Sequence, residues 1–135
     1  MAVAESFISS GFIMKNKIIK FQSNTAINLT SEYSAIPAEN SGPFNRFSGF
    51  TFTPVSMSQD APHGGEMHPD GDEIIFVFSG GIEVTLEYET KLVVSVAPGE
   101  GIVIPRGIWH KVHVLEPVNM ATISPGPGFE FRKLE

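Results

Sequence analysis

The chain has no cysteine among its 135 residues. That excludes disulfides, thiolate zinc sites, iron–sulfur clusters and a cysteine nucleophile, and it fits a cytoplasmic setting. Basic residues are few, nine against 15 acidic, for a formal charge of -6. An acidic chain repels phosphate backbones, so nucleic acid is not an expected partner. Lys15, Lys17 and Lys20 form the only basic cluster and read as a solvated strand face. No apolar run approaches the roughly 18–20 residues that span a bilayer, so no membrane partner is expected either. Neither a Gly-x-Ser-x-Gly elbow nor a P-loop occurs, which leaves no serine-hydrolase or nucleotide-cradling signature. Amphipathic helices are missing as well: no window keeps apolar residues at i, i+3, i+4 and i+7 for three turns.

What remains are short runs rich in Val, Ile, Phe and Thr, separated by Gly, Pro, Asn and Asp. Glycine (13) and proline (10) are plentiful, as an all-β, loop-dense chain requires. The expected strands are Ile18–Phe21, Phe47–Val55, Pro62–His68, Glu73–Ser79, Ile82–Tyr88, Lys91–Val96, Gly101–Ile104, Trp109–Leu115 and Val118–Ser124. In Ile82–Tyr88 the apolar set Ile82, Val84, Leu86 and Tyr88 alternates with Glu83, Thr85 and Glu87, the pattern of a half-buried antiparallel strand. Ser79-Gly80-Gly81 reads as a tight hairpin turn, and Pro98-Gly99 and Pro105-Arg106-Gly107 as further turns. Residues 23–46 read as a loop or lid with room for one short helix. Ser124-Pro125-Gly126-Pro127-Gly128 is expected to end the barrel, because proline cannot donate into a central ladder. Phe44, Phe47, Phe50 and Phe52 are expected to line the core or the wall of a pocket.

The length fits one domain spanning residues 1–135, with a barrel core over about 45–124. Residues 1–13 read as an arm or an upstream extension. Glu5 precedes the apolar stretch and the lysines follow it, which is the wrong order for a secretory signal. The apolar residues Phe7, Ile8, Phe12 and Ile13 would be exposed on a monomer, so packing onto a partner barrel is expected to bury them.

Two segments carry chemistry. In the first, Glu66 and His68 lie two residues apart and share a strand face. Pro69-Asp70-Gly71 then turns the chain, and Glu73 opens the next strand and can return to that face. In the second, His110 follows the Pro105-Gly107 turn, and its in-phase neighbours Val112 and Val114 are apolar. His110 therefore points inward, where an unpaired imidazole is costly and needs a hydrogen-bond partner or a metal. His113 lies on the opposite face and reads as a surface residue. Asp72 and Glu73 are adjacent and point to opposite faces, which argues against a glycosidase dyad built from them.

The two segments resemble the two motifs of the cupin family. That family's first motif runs His-x-His, three or four residues, Glu, six residues, Gly. Here it reads Glu66-x-His68, four residues, Glu73, six residues, Gly80. The second runs Gly, five residues, Pro-x-Gly, two residues, His, three residues, Asn. Here it reads Gly99, five residues, Pro105-x-Gly107, two residues, His110, with Val114 in place of Asn. The resemblance implies an all-β double-stranded β-helix, the cupin jelly-roll barrel, with one divalent metal ion (Fe, Mn, Zn or Ni) in its mouth, and a homodimer.

Carried over by position, His68, Glu73 and His110 are the implied ligands. Where the family has its first histidine stands Glu66, which can ligate through oxygen. Alternatively, a bulge at Gly64-Gly65 can bring His63 into phase, or water can fill the position. Asp60 stands where the motif's first glycine would be. Whichever of Glu66 and His63 is not a ligand is placed to act as general base. The expectation is a metal-dependent enzyme on a small organic molecule: a dioxygenase, isomerase, decarboxylase or lyase. The alternative is a non-catalytic cupin that binds or senses a metal or small molecule.

Overall fold

The computed structural model of the chain describes residues 6–9 and 12–135. Of the apolar residues in the proposed arm, Phe7 and Ile8 have side chains outside that description. Phe12 is buried within its own chain, so it needs no partner barrel to cover it, contrary to the sequence expectation.

Twelve strands are described: β1 (Ser6–Ser9), β2 (Phe12–Lys15), β3 (Ile18–Phe21), β4 (Ile27–Leu29), β5 (Ala35–Pro37), β6 (Gly49–Met57), β7 (Gly65–Met67), β8 (Glu73–Glu87), β9 (Lys91–Val96), β10 (Gly101–Ile104), β11 (His110–Gly126) and β12 (Glu130–Arg132). One 3₁₀ turn, Gly42–Phe44, is the only helical segment among the described residues. None of these residues forms a helix long and apolar enough to cross a membrane. Strands β1-β2-β3 form a small sheet of their own, with Lys15, Lys17 and Lys20 exposed. The other nine form one antiparallel sheet ordered β10-β8-β11-β6-β4-β5, with β9 on β8, and β7 bridging β11 and β12. Residues 23–46, expected as a loop, thus contribute β4 and β5 as well as the 3₁₀ turn.

The spine is the long antiparallel pair β8 and β11. It corrects the expected hairpin at Ser79-Gly80-Gly81, because β8 runs straight through those residues. Burial shows what they do instead. Before them the inward residues are odd-numbered: Glu73, Ile75 and Val77 are buried, while Ile74, Phe76 and Phe78 are exposed. After them the inward residues are even-numbered: Ile82, Val84 and Leu86. The segment inserts an irregularity that flips the phase, and the register with β11 shifts between Val114 and Met120. Gly80 has φ of +77°, and an added Cβ would lie 2.0 Å from the Pro117 carbonyl oxygen. Glycine is what lets β8 bend here against β11. The turn that reverses the chain is Tyr88-Glu89-Thr90, before β9, and Tyr88 is accordingly exposed.

The tail also differs from expectation. Strand β11 continues through Pro125 to Gly126, paired with Phe50 and Gly49 of β6. Proline is tolerated there because the pairing of β11 with β8 has already ended at Ile123. The core is Ile75, Val77, Ile82, Val84, Leu86, Val96, Ile104, Val118 and Met120, drawn from both halves of β8, from β11 and from the strands flanking them. None of Phe44, Phe47, Phe50 and Phe52 belongs to it: Phe44 and Phe50 are exposed, and Phe52 meets Phe21 edge-on.

Candidate metal centre

Glu73 is the first inward residue of β8, and His110 the first residue of β11. His68 precedes the turn into β8, and Glu66 sits in β7 directly opposite His110. Two turns lock these segments together. The Gly107 amide donates to the His68 carbonyl at 2.9 Å, and the Arg106 amide donates to Asp72 Oδ1 at 2.8 Å. Asp72 therefore faces away from the site, as its phase requires, while Glu73 faces in.

The result is a cluster of Glu66, His68, Glu73 and His110, each offering one donor atom, all within 4.8 Å of one another. His110 Nε2 lies 3.1 Å from Glu73 Oε1 and 3.3 Å from Glu66 Oε1. His68 Nε2 lies 3.2 Å from Glu73 Oε2. Three of the four residues are buried, and Glu66 is partly open.

The orientation of the imidazoles suits a cation. His110 Nδ1 is 3.0 Å from the Ile108 carbonyl, which can only accept, so Nδ1 carries the proton and Nε2 faces the cluster. On His68 both ring nitrogens are buried without a properly directed hydrogen bond. The approach of Nε2 to Glu73 is close, but it lacks hydrogen-bond geometry. A buried nitrogen left in that state is costly unless something occupies the shared point. Glu73 is held further by Ser124, whose hydroxyl donates to Oε2 at 2.6 Å.

The electrostatics point the same way. Burial pushes the Glu73 carboxyl up, but the two imidazoles outweigh it and hold the group well below the usual carboxylate range. Burial likewise opposes charge on His110 and His68. The carboxylates of Glu66 and Glu73 around His110, and of Glu73 and then Glu66 around His68, raise both above the ordinary histidine value. The cluster thus sets two carboxylates against two imidazoles. One divalent cation would balance two carboxylate charges, with neutral imidazoles as ligands. Two nitrogens and two carboxylate oxygens form a mixed, fairly hard donor set, which suits Mn, Fe or Zn better than a soft metal. These residues fit the group.

His63 stands outside the cluster. Its Nδ1 accepts the Gly65 amide at 3.1 Å, and its Nε2 is 3.7 Å from Glu66 Oε2, so it backs Glu66 from the outer side. His113 is partly exposed and pairs with Asp60 at 3.1 Å.

Above the cluster opens a cavity of about 600 Å³. Of the four phenylalanines proposed as its wall, only Phe44 lines it. The tail supplies the others, Phe129 and Phe131. The Gly128 amide bonds to Asp70, and β12 pairs with β7, which brings the Phe129 ring edge-on to His68 with centroids 5.3 Å apart. At the far rim, Asn45 follows the 3₁₀ turn. Its amide donates to buried Asn28 and to Thr51, both at 2.8 Å, and so fixes that turn to the sheet.

Fold and site together define a small β-barrel protein with a cluster of potential metal ligands in its mouth. The family model described as a cupin domain matches residues 56–124, just over half of the chain, and the chain belongs to that family. It is similar in fold to an oxalate oxidase solved in complex with the substrate analogue glycolate (23% identity, TM-score 0.52), over 61% of this chain and 45% of that one. It is similar also to a cupin-2 domain containing protein from Shewanella frigidimarina (22% identity, TM-score 0.50), over 65% of this chain and 81% of that one. A third similar structure is Peruvianin-I, a cysteine peptidase from Thevetia peruviana latex (17% identity, TM-score 0.54), over 64% of this chain and 58% of that one. The chain spans less than half the length of the oxalate oxidase it matches. No curated protein matches the sequence.

Proposed function

We propose that this cupin is a metal-dependent enzyme acting on a small organic molecule, with Glu66, His68, Glu73 and His110 as the ligands of one divalent ion. The observation that carries this reading is His68, a buried imidazole with neither nitrogen hydrogen-bonded, beside two carboxylates and a second imidazole whose Nε2 converges on the same point. A bound divalent ion would supply Lewis acidity, or redox chemistry if it is iron. The chain's own residues do the rest. Ser124 and the Ile108 carbonyl orient Glu73 and His110. Phe129 limits water at His68. In this reading His63, which lines the cavity outside the cluster, serves as the general base toward a bound molecule.

Elemental analysis of protein purified without added metal tests the proposal. One equivalent of metal per chain is expected, lost in His68→Ala and His110→Ala. Metal-poor protein after supplementation, or retention in both variants, would overturn it.

A homodimer is part of the same reading. Ile74, Phe76 and Phe78 on the outer face of β8 are exposed together with Val103, the register partner of Ile74 on β10. That apolar strip supports self-association, and light scattering at the size of a monomer would count against it.

A further inference from the structure

Among the described residues, no lysine or arginine lines the cavity above the cluster, and residues 1–11 contain none. Two arginines adjoin lining residues in the sequence, and both have partners. Arg46 donates to the Phe129 carbonyl at 3.3 Å, while Arg132 pairs with Glu87 at 2.6 Å and stacks over Trp109. The titratable groups that do face the cavity are the carboxylates of Glu66 and Glu73 and the imidazoles of His63 and His68, and a divalent ion at the cluster would take up the two carboxylate charges. The walls are Val55, Met57, Val112 and Met120 with the Phe129 and Phe131 rings, and the polar functions among them include the uncharged hydroxyls of Thr53 and Thr122.

From this we infer that the site selects uncharged, largely apolar organic molecules carrying an oxygen donor, and discriminates against organic acids. The inference rests on the functional reading above and narrows its substrate class. An acid entering this cavity would lose its hydration and find no lysine or arginine in the walls in return. It would also approach two carboxylates. A neutral molecule loses little on entry and gains the apolar contact. Size points the same way, because a two-carbon diacid would occupy only a small part of about 600 Å³, a volume within the roughly 300–1,000 Å³ range of pockets that enclose larger organic ligands.

Salicylamide and salicylate make the comparison, since they share a skeleton and a phenol and differ in charge at neutral pH. Titration calorimetry on the zinc-loaded wild-type chain should show salicylamide binding at least about tenfold tighter than salicylate, with oxalate weaker than both. The same order is expected without zinc, because the walls carry neither lysine nor arginine in either state. Thr53→Lys, which places an ammonium in the wall, should swing the ratio toward salicylate by about tenfold or more. Salicylate or oxalate binding as tightly as salicylamide to the wild type would overturn the inference, and so would no binding of any of the three; the wild-type comparison decides even if the lysine variant fails to fold. Zinc content measured on the same samples keeps the two readings apart. A chain that holds no zinc yet prefers salicylamide refutes the metal site alone, and a chain that holds zinc yet prefers the acid refutes the charge selection alone.

Discussion

Glu66 and His110 are direct register partners across β7 and β11, and His110 Nε2 lies 3.3 Å from Glu66 Oε1. The pairing puts a carboxylate where the cupin motif has a histidine. Glu66→Gln removes that anionic donor while keeping the size of the side chain. It should weaken metal binding on the order of 100-fold or more, beyond the ~10–100-fold typical of outer partners. His63→Ala, which alters a residue outside the cluster, should cost no more than that outer-partner range. Competition with a chelator of known affinity reads both. A larger loss in His63→Ala than in Glu66→Gln would assign the fourth ligand to His63.

Ser124 donates to Glu73 Oε2 at 2.6 Å and so leaves Oε1 turned toward His110. Ser124→Ala leaves every proposed ligand in place. Metal affinity should fall about 10–100-fold while the denaturation midpoint of the metal-free chain moves little. Unchanged affinity would show that Glu73 needs no help to hold its orientation.

How far the sequence reaches is visible in these residues. Strand parity put Glu66 and His68 on one face and turned His110 inward, and the resemblance to the cupin motifs joined them with Glu73 into one site. Parity failed where the backbone leaves the regular pleat. At Ser79–Gly81 two glycines signal a turn equally well whether the chain reverses or merely changes phase, and only the partner strand decides. Phe129 and Ser124 escaped notice for a different reason. Ser124 is in phase with Met120 and Thr122 on β11, a signal the sequence does carry, but the Pro-Gly run after it looked like a strand end. Phe129 reaches His68 through the pairing of β12 with β7 and the Gly128–Asp70 bond, between residues 58 positions apart. No local pattern encodes such a contact.

Asp60 replaces the first glycine of the motif, and it has acquired partners. Its Oδ1 accepts the Val114 amide at 2.7 Å, and its Oδ2 lies 3.1 Å from His113 Nδ1. The Val114 hydrogen bond, with smaller help from His113 and Lys111, outweighs burial and holds the carboxyl below its ordinary value of 3.8. A carboxyl depressed in the folded state binds protons more weakly there than in the unfolded chain. Its contribution is therefore present above the ordinary value and is lost as pH falls through the folded one. Asp60→Asn should be the less stable protein at neutral pH, by less than ~1 kcal/mol because solvent screens the pair. The gap should close at pH values well below 3.8. Urea midpoints across that range measure it, and a gap that widens in acid would contradict the assignment.

Gly80 is the position on which the bend of β8 depends. Its φ of +77° lies where L-residues are strained, and an added Cβ would sit 2.0 Å from the carbonyl oxygen of Pro117 and 2.8 Å from the Val118 Cα. Both obstacles are backbone, so no side-chain rotation relieves them. The left-handed conformation alone costs about 1–2 kcal/mol, and relieving the clash means displacing β11. Gly80→Ala should therefore lose more than ~2 kcal/mol of stability. Gly99→Ala supplies the control: that residue also has a positive φ, of +82°, but open space around the added Cβ. It should lose the conformational part only. Because Val118 and Met120 follow directly on β11 and belong to the core, the displaced strand in Gly80→Ala should also carry Ser124 away from Glu73. The variant should then lose metal affinity although its substitution lies outside the cluster. Equal denaturation midpoints for the two alanine variants would show that β11 yields at Pro117 without cost, and that the bend does not depend on glycine.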